Sequence, residues 1–178
     1  MHNDGGDIAL HLKPGEHFIV GMIDQPDRPS LFGTTTLDST QPVRGIATSG
    51  WRGRSFSLGI ADAVTVLADR AAIADAAATI IANAIDLPGH PSVTRVPARD
   101  LAPDSDLGDR LVTQAVGELS PLEIAAALDA GVGVAEALLS DRLIRAGALC
   151  LRGETRVIGL TPRMCKGERQ EARSLIHA

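Results

Sequence analysis

The chain has 178 residues, 44% apolar and 22% charged, with a formal net charge of −5. That is the composition of an ordinary globular protein, and its acidic balance argues against non-specific binding to nucleic-acid backbones or anionic lipid. With no Tyr, one Trp and three Phe, there is no platform for stacking bases, and the core must be built from Ala, Val, Ile and Leu.

This length predicts a single domain over 1–178. Lysine occurs only at Lys13 and Lys166, so arginine carries nearly all the positive charge, and Arg44, Arg52 and Arg54 fall close together. Cys150 and Cys165 are too few for a disulfide framework and lack metal-ligand spacing, as expected in a reducing compartment. No apolar run approaches the roughly 20 residues of a membrane span, and no signal peptide is visible at Met1. A soluble, cytoplasmic protein without nucleic-acid or membrane partners is therefore expected. The opening "MHNDGGDIAL" runs straight into a Gly-Gly turn and a strand, which predicts a domain whose N-terminal part is missing.

In chain order, "DIALHL" (7–12) and "EHFIVGMI" (16–23) flank "KPGE" and predict a β-hairpin, with Ile8, Leu10 and Leu12 inward and His11 outward. Residues 24–42 are rich in Pro, Asp, Ser and Thr and predict a loop around a short strand near Gly33 to Leu37. "ADAVTVLA" (61–68) predicts a strand leading into an Ala-rich helix from Ala71 to Asp86. "SVTRV" (92–96) predicts a strand, and "PDSDLGDRLVTQAV" a capped helix from about residue 106. Ser120-Pro121-Leu122-Glu123 has the form of a capping box with Pro at the first helical position, so a helix starts there. "DAGVG" is expected to interrupt it, with a second helix from Val134 to Arg145. "GALCLRGETRVIGL" predicts a second hairpin around Gly153-Glu154, and the tail from Gly167 a frayed helix. Strands and helices mix without a regular βαβ period, so the fold class is α+β, with a mixed or antiparallel sheet and packed helices. The likeness of "IADAVT" to "IADAAAT" spans too short an offset for a structural repeat.

The histidines at 2, 11, 17, 90 and 177 have no HxH or HExxH spacing, which speaks against zinc; His90 in "LPGHP" reads as a loop residue. "GIATSG" lacks the Gly-x-Ser-x-Gly elbow of a serine hydrolase. Its small residues and hydroxyls would let a phosphate approach the backbone, or make it simply a turn. In the Ala-rich helix, Asp75, Thr79 and Asn83 recur every four residues, a drift of about 40° per step, and form one narrow polar stripe. The stripe is either a solvated helix face or a carboxylate and hydroxyl that reach one hard cation. Mg²⁺ takes a few protein oxygens and leaves its other positions to phosphate or water.

Taken together, "NDGGDIAL", "GIATSG", "ADAVTVLA" and "ADAAAT", in that order, resemble the ApbE-like superfamily, whose best-known members are FAD:protein FMN transferases. The closer resemblance is to a branch that is itself an uncharacterised protein family, with "GRSFSLGIADAVTVLA"-like and "PDSDLGDRLVT"-like segments; the likeness covers about Asn3 to Leu160. It implies an ApbE-like α+β fold and Mg²⁺-dependent cleavage of FAD, with transfer of FMN to a Ser or Thr of an acceptor protein. It further implies that Asp75 and Thr79 ligate Mg²⁺, and that Asn3, Gly5 and Gly6, with Ala47, Thr48, Ser49 and Gly50, lie along the flavin-nucleotide site. Asn83 and Asp86 keep the reading of a solvated face. Where the transferases carry His-x-x-Asp-Pro-x-Thr-Gly, this chain has "WRGRSFSLGI", with neither His nor Pro. Arg52, Arg54 and Ser55 are the groups there able to contact a phosphate. The transferases also use an upstream segment for a backbone metal ligand, and this chain starts after where it would lie.

Three readings follow: an FMN transferase, a flavin- or nucleotide-binding protein without transfer, and a structural or interaction subunit that takes no ligand and pairs its sheet edges with another chain, a second copy of itself included. No general base is evident, so transfer would be driven by neutralising charge on the pyrophosphate.

Overall fold

The structure is a computed structural model that describes residues 2–3, 7–23 and 31–159. Its elements in chain order are β1 (His2–Asn3), β2 (Asp7–Ala9), β3 (His17–Ile23), β4 (Leu31–Asp38), β5 (Gly45–Ser49), β6 (Ala63–Ala68), α1 (Ala71–Ala84), β7 (Val93–Pro97), α2 (Ala98–Leu101), β8 (Leu111–Val116), α3 (Pro121–Ser140), β9 (Ala146–Leu151) and β10 (Glu154–Gly159). The main sheet has the order β1-β2-β5-β6-β9-β10, and β3-β4 and β7-β8 form separate two-stranded sheets. Every strand pair is antiparallel. The fold is α+β.

Period-two alternation sorts the central strands into two cores. Ala47, Val64, Val66, Ala68, Leu149 and Leu151 face the helices and join the buried faces of α1 and α3. Ile46, Leu67 and Ala146 point the other way and pack with Leu10, Val20, Leu37 and Val43, so the β3-β4 hairpin covers that face.

Helix α1 has no side-chain cap and no acidic residue in its first turn. Alanine propensity and an inner face of Ala74, Ala77, Ala78, Ile81 and Ala82 hold it. Those small side chains let it lie close to the sheet. A Cβ on Gly45 would stand 2.2 Å from the Ala71 nitrogen, and one on Gly59 would stand 2.1 Å from the Ala82 oxygen, so the chain touches α1 backbone at both ends.

The capping box of α3 forms as expected: the Ser120 hydroxyl accepts from the Glu123 N–H, and the Glu123 carboxylate accepts from the Ser120 N–H at 2.7 Å.

Several expected elements are corrected. "DIALHL" and "EHFIVGMI" do not pair with each other: β2 lies between β1 and β5, while β3 pairs with β4. The Lys13–Glu16 turn forms, but the alternation in each strand is answered by partners distant in sequence. No helix starts near residue 106; turns lead into β8, paired with β7 through a register shift between Thr94 and Arg95. That shift spoils the alternation of "LVTQAV", in which Val112 and Thr113 are both buried. "DAGVG" does not interrupt α3, which runs unbroken over Pro121–Ser140. Its Gly131 packs against Ile85, the residue that caps the end of α1, where a Cβ would stand 2.3 Å from Ile85 Cγ1. The tail from Gly167 and Cys165 lie outside the described residues. The β9-β10 hairpin, the α1 helix and the strands within 61–68 and 92–96 are present.

Candidate functional site

The "GIATSG" segment is β5 and its exit. Ala47 is wholly buried on the helix side, so it can offer a ligand only backbone. Thr48 faces the opposite side, where its hydroxyl meets that of Thr65 on β6 at 2.9 Å. Gly50 permits a close crossing, because a Cβ there would stand 2.5 Å from the Asp62 carbonyl oxygen. The chain then turns: Trp51 N–H donates to the Ala61 carbonyl at 3.0 Å and Gly53 N–H to that of Gly50 at 3.1 Å.

The strand that follows "NDGG" in the sequence reaches the same place. Asp7 is in register with Ala47 and Asn3 with Ile8, so β2 runs beside β5. Gly5 and Gly6 lie outside the described residues.

At the β5 exit stands a carboxylate that sequence reading missed. Asp62 is 2% exposed. Its Oδ1 accepts from Trp51 Nε1 at 3.1 Å and from Arg52 Nε at 2.7 Å, and its Oδ2 accepts from the Arg152 backbone N–H at 2.6 Å. The Arg52 guanidinium lies over the Trp51 ring, 4.6 Å from its centre. Arg152 sits at φ 53 and Gly153 at φ 83, both left-handed, in the two-residue turn between β9 and β10. One buried carboxylate thus ties the β5 exit, the start of β6 and the far hairpin. The signal was there: an Asp in a segment expected from its β-branched and alanine residues to be a strand (61–68) has to be bonded if buried, and Arg52 is the nearby cation.

On α1 the polar stripe divides. Asp75 and Thr79 are exposed, one turn apart, and neither makes a side-chain hydrogen bond among the described residues. Asn83 differs from the expected solvated face: it is half-buried, and its Oδ1 accepts from the Leu58 N–H at 2.9 Å and the Ser57 hydroxyl at 3.3 Å. Asp86 is not simply solvated either, since it forms an ion pair with Arg95. No group of three or more His, Cys, Asp or Glu side chains able to hold a metal occurs among the described residues. Asp75 and Thr79 fit a cation that takes two protein oxygens and completes its shell with water or phosphate.

His90 belongs to a different construction. Its Nε2 lies 2.9 Å from Glu123 Oε1, tying the loop after α1 to the start of α3. The Ser120 backbone N–H, then His90, then the Ser120 hydroxyl lower the Glu123 pKa from 4.5 to about 2. The group serves helix capping and packing.

The family described as "AbpE bacteria" matches residues 1–157. The chain belongs to the AbpE bacteria family. Among curated proteins, this AbpE bacteria chain is similar to a UPF0280 protein of Methanopyrus kandleri, 42% identical over 82 residues, which are 46% of the chain and 32% of that protein. It is also similar to UPF0280 proteins of Methanococcoides burtonii, 38% identical over 51% of the chain and 37% of the relative, and Methanococcus aeolicus, 40% identical over 47% and 34%. The matches thus span about a third of the length of each of these relatives. Among the described residues, no helix of this AbpE bacteria chain is long and apolar enough to cross a membrane.

Proposed function

We propose that the chain is a Mg²⁺-dependent flavin-dinucleotide site of the FMN-transferase type. FAD is the ligand, and a Ser or Thr hydroxyl of an acceptor protein is the recipient. The observation that carries this is the division of the α1 stripe: Asn83 is committed to the fold, while Asp75 and Thr79 stand exposed with their oxygens uncommitted, one turn apart. Family membership over residues 1–157 supports the reading.

In this reading Asp75 and Thr79 hold the cation, and Asn3, Gly5 and Gly6, with Ala47 to Gly50, line the nucleotide. When bound, Mg²⁺ neutralises charge on the pyrophosphate and so eases departure of AMP. The acceptor oxygen forms a bond to the FMN phosphorus as the pyrophosphate P–O bond to AMP breaks, and the hydroxyl proton passes to water or the leaving phosphate.

A second reading, binding without transfer, is favoured by one observation. Asp62, the carboxylate at the β5 exit, is buried and accepts three hydrogen bonds, which leaves it unsuited to act as a base.

Titration of FAD with and without Mg²⁺, read by Trp51 and flavin fluorescence, tests the site. Asp75→Asn is expected to weaken Mg²⁺-dependent binding by about tenfold or more, as loss of one charged ligand does. Unchanged Mg²⁺ dependence in that variant refutes the metal assignment. AMP release with labelling of an acceptor separates transfer from binding alone.

A further inference from the structure

We propose that the loop between α1 and β7 is a latch worked by a proton: His90 holds Ser92 only while its ring is neutral, and taking up a proton at Nδ1 releases Ser92 and keeps Glu123. The latch is independent of the proposed nucleotide site.

Two hydrogen bonds fix the state of the ring. His90 Nε2 lies 2.9 Å from Glu123 Oε1, and the Ser92 backbone N–H donates to His90 Nδ1 at 3.2 Å. An ionised carboxylate only accepts, so Nε2 must carry a proton; a backbone N–H only donates, so Nδ1 must be bare. The neutral Nε2–H tautomer is the one form of the ring that satisfies both. Glu123 stays ionised wherever histidines titrate, since the Ser120 N–H, His90 and the Ser120 hydroxyl hold its pKa at about 2.

A second ring proton therefore has one place to go. At Nδ1 it would point at the Ser92 N–H, donor against donor, so that bond breaks and the N–H turns to water. The bond from Nε2–H to Glu123 is retained and is then charged on both sides. The His90 side chain is 18% exposed, so solvent can deliver the proton. Glu123 is the charged group that meets the ring. Asp86, just past α1, and Arg95 on β7 answer each other, and Glu118, before α3, is exposed with no ion pair among the described residues.

What the latch holds is the entry to β7. The Val93 N–H donates to the His90 carbonyl at 3.0 Å, and the Ser92 carbonyl accepts from the Gly117 N–H, just past β8, at 2.7 Å. Ser92 is thus the joint where the loop meets the β7-β8 ribbon, and freeing its N–H loosens that joint.

Proton–nitrogen NMR spectra of the ring and hydrogen exchange of the Ser92 amide, from about pH 8 to about pH 5, test this. At the upper pH the ring is expected to be the Nε2–H tautomer. As the ring takes up its proton, Ser92 protection, corrected for the intrinsic exchange rate, is expected to fall about fivefold to tenfold, the worth of one hydrogen bond. The Leu149 amide on the central strand β9 is expected to keep its protection. Two variants split the roles of the ring. In His90→Asn the amide oxygen stands in for Nδ1 and does not titrate, so Ser92 protection stays high at both ends of the range. His90→Gln reaches Glu123 in place of Nε2 but offers Ser92 no acceptor, so protection is low throughout. An Nδ1–H tautomer, a ring that stays neutral to about pH 5, or Ser92 protection that ignores ring protonation overturns the latch, and each is read on the wild type alone. Equal loss at Leu149 marks global loosening and overturns it as well, as does a wild-type pH dependence surviving in His90→Asn.

Discussion

Two glycines two positions apart on α3 should respond to alanine with opposite signs. Alanine is favoured over glycine in a helix interior by about 1 kcal/mol. At Gly133 a Cβ would meet nothing within 4 Å, so that gain is realised and Gly133→Ala stabilises by about 0.5–1 kcal/mol. At Gly131 the Cβ would stand 2.3 Å from Ile85 Cγ1, 2.9 Å from Ile85 Cδ1 and 3.2 Å from Leu149 Cδ2. Ile85 and Leu149 are wholly buried and cannot swing aside. Overpacking of this kind costs about 1–3 kcal/mol. Because the first contact is with the inner part of the isoleucine branch, the upper half of that range applies, and it exceeds the propensity gain. Gly131→Ala is then destabilising by about 1–2 kcal/mol net. For a chain of this size each kcal/mol moves the melting temperature by about 2–4 °C. Urea and thermal unfolding of wild type and both variants give the answer. A shift of the same sign for both, or a stabilised Gly131→Ala, would refute the claim that α1 and α3 meet at this point.

The stripe on α1 should divide in stability as it does in structure. Asn83→Ala leaves the half-buried Leu58 N–H without its acceptor and is expected to cost about 1 kcal/mol or more, whereas Asp75→Asn and Thr79→Val, at exposed positions, stay within about 0.5 kcal/mol by urea unfolding. Glu123 supplies a pH dependence. Its folded pKa of about 2 lies below the ordinary 4.5, so its contribution is fully present above the ordinary value and is lost as pH falls through the folded one. The stability gap between wild type and Glu123→Gln, followed by thermal melts from pH 6 downward, is therefore expected to narrow below about pH 4.5; a gap that stays constant down to about pH 2 counts against the assignment.

What could be read from the sequence was local. The Ser120 capping box closes within four residues, and the β9-β10 turn is two residues flanked by strands, so both are written in adjacent letters. The alanines of α1 announce a helix for the same reason. Partner choice was not local: nothing near Ile8 tells it to lie beside Ile46 rather than across the Lys13–Glu16 turn. The glycines of α3 read as a break because the role of Gly131, contact with Ile85 and Leu149, lies in other elements, while Gly133 has open space around it. Asp62 stayed hidden in the same way. Its three donors come from residues 51, 52 and 152, and only the first two are near it in sequence. The candidate metal pair was legible as a stripe, but only the loop at Leu58 separates Asn83 from its two neighbours.

The close seating of α1 bears on how any ligand would be met. Backbone of the Arg70–Ala71 junction abuts Gly45, and the Ala82 carbonyl abuts Gly59, each at a distance that forbids a methyl group. A rod seated at both ends can neither slide along its axis nor roll, so Asp75 and Thr79 cannot be re-aimed by moving the helix. Their reach is set by side-chain rotation alone. The free protein should already hold its bound-state backbone along α1, and association there should proceed in a single kinetic phase with little reorganisation to overcome.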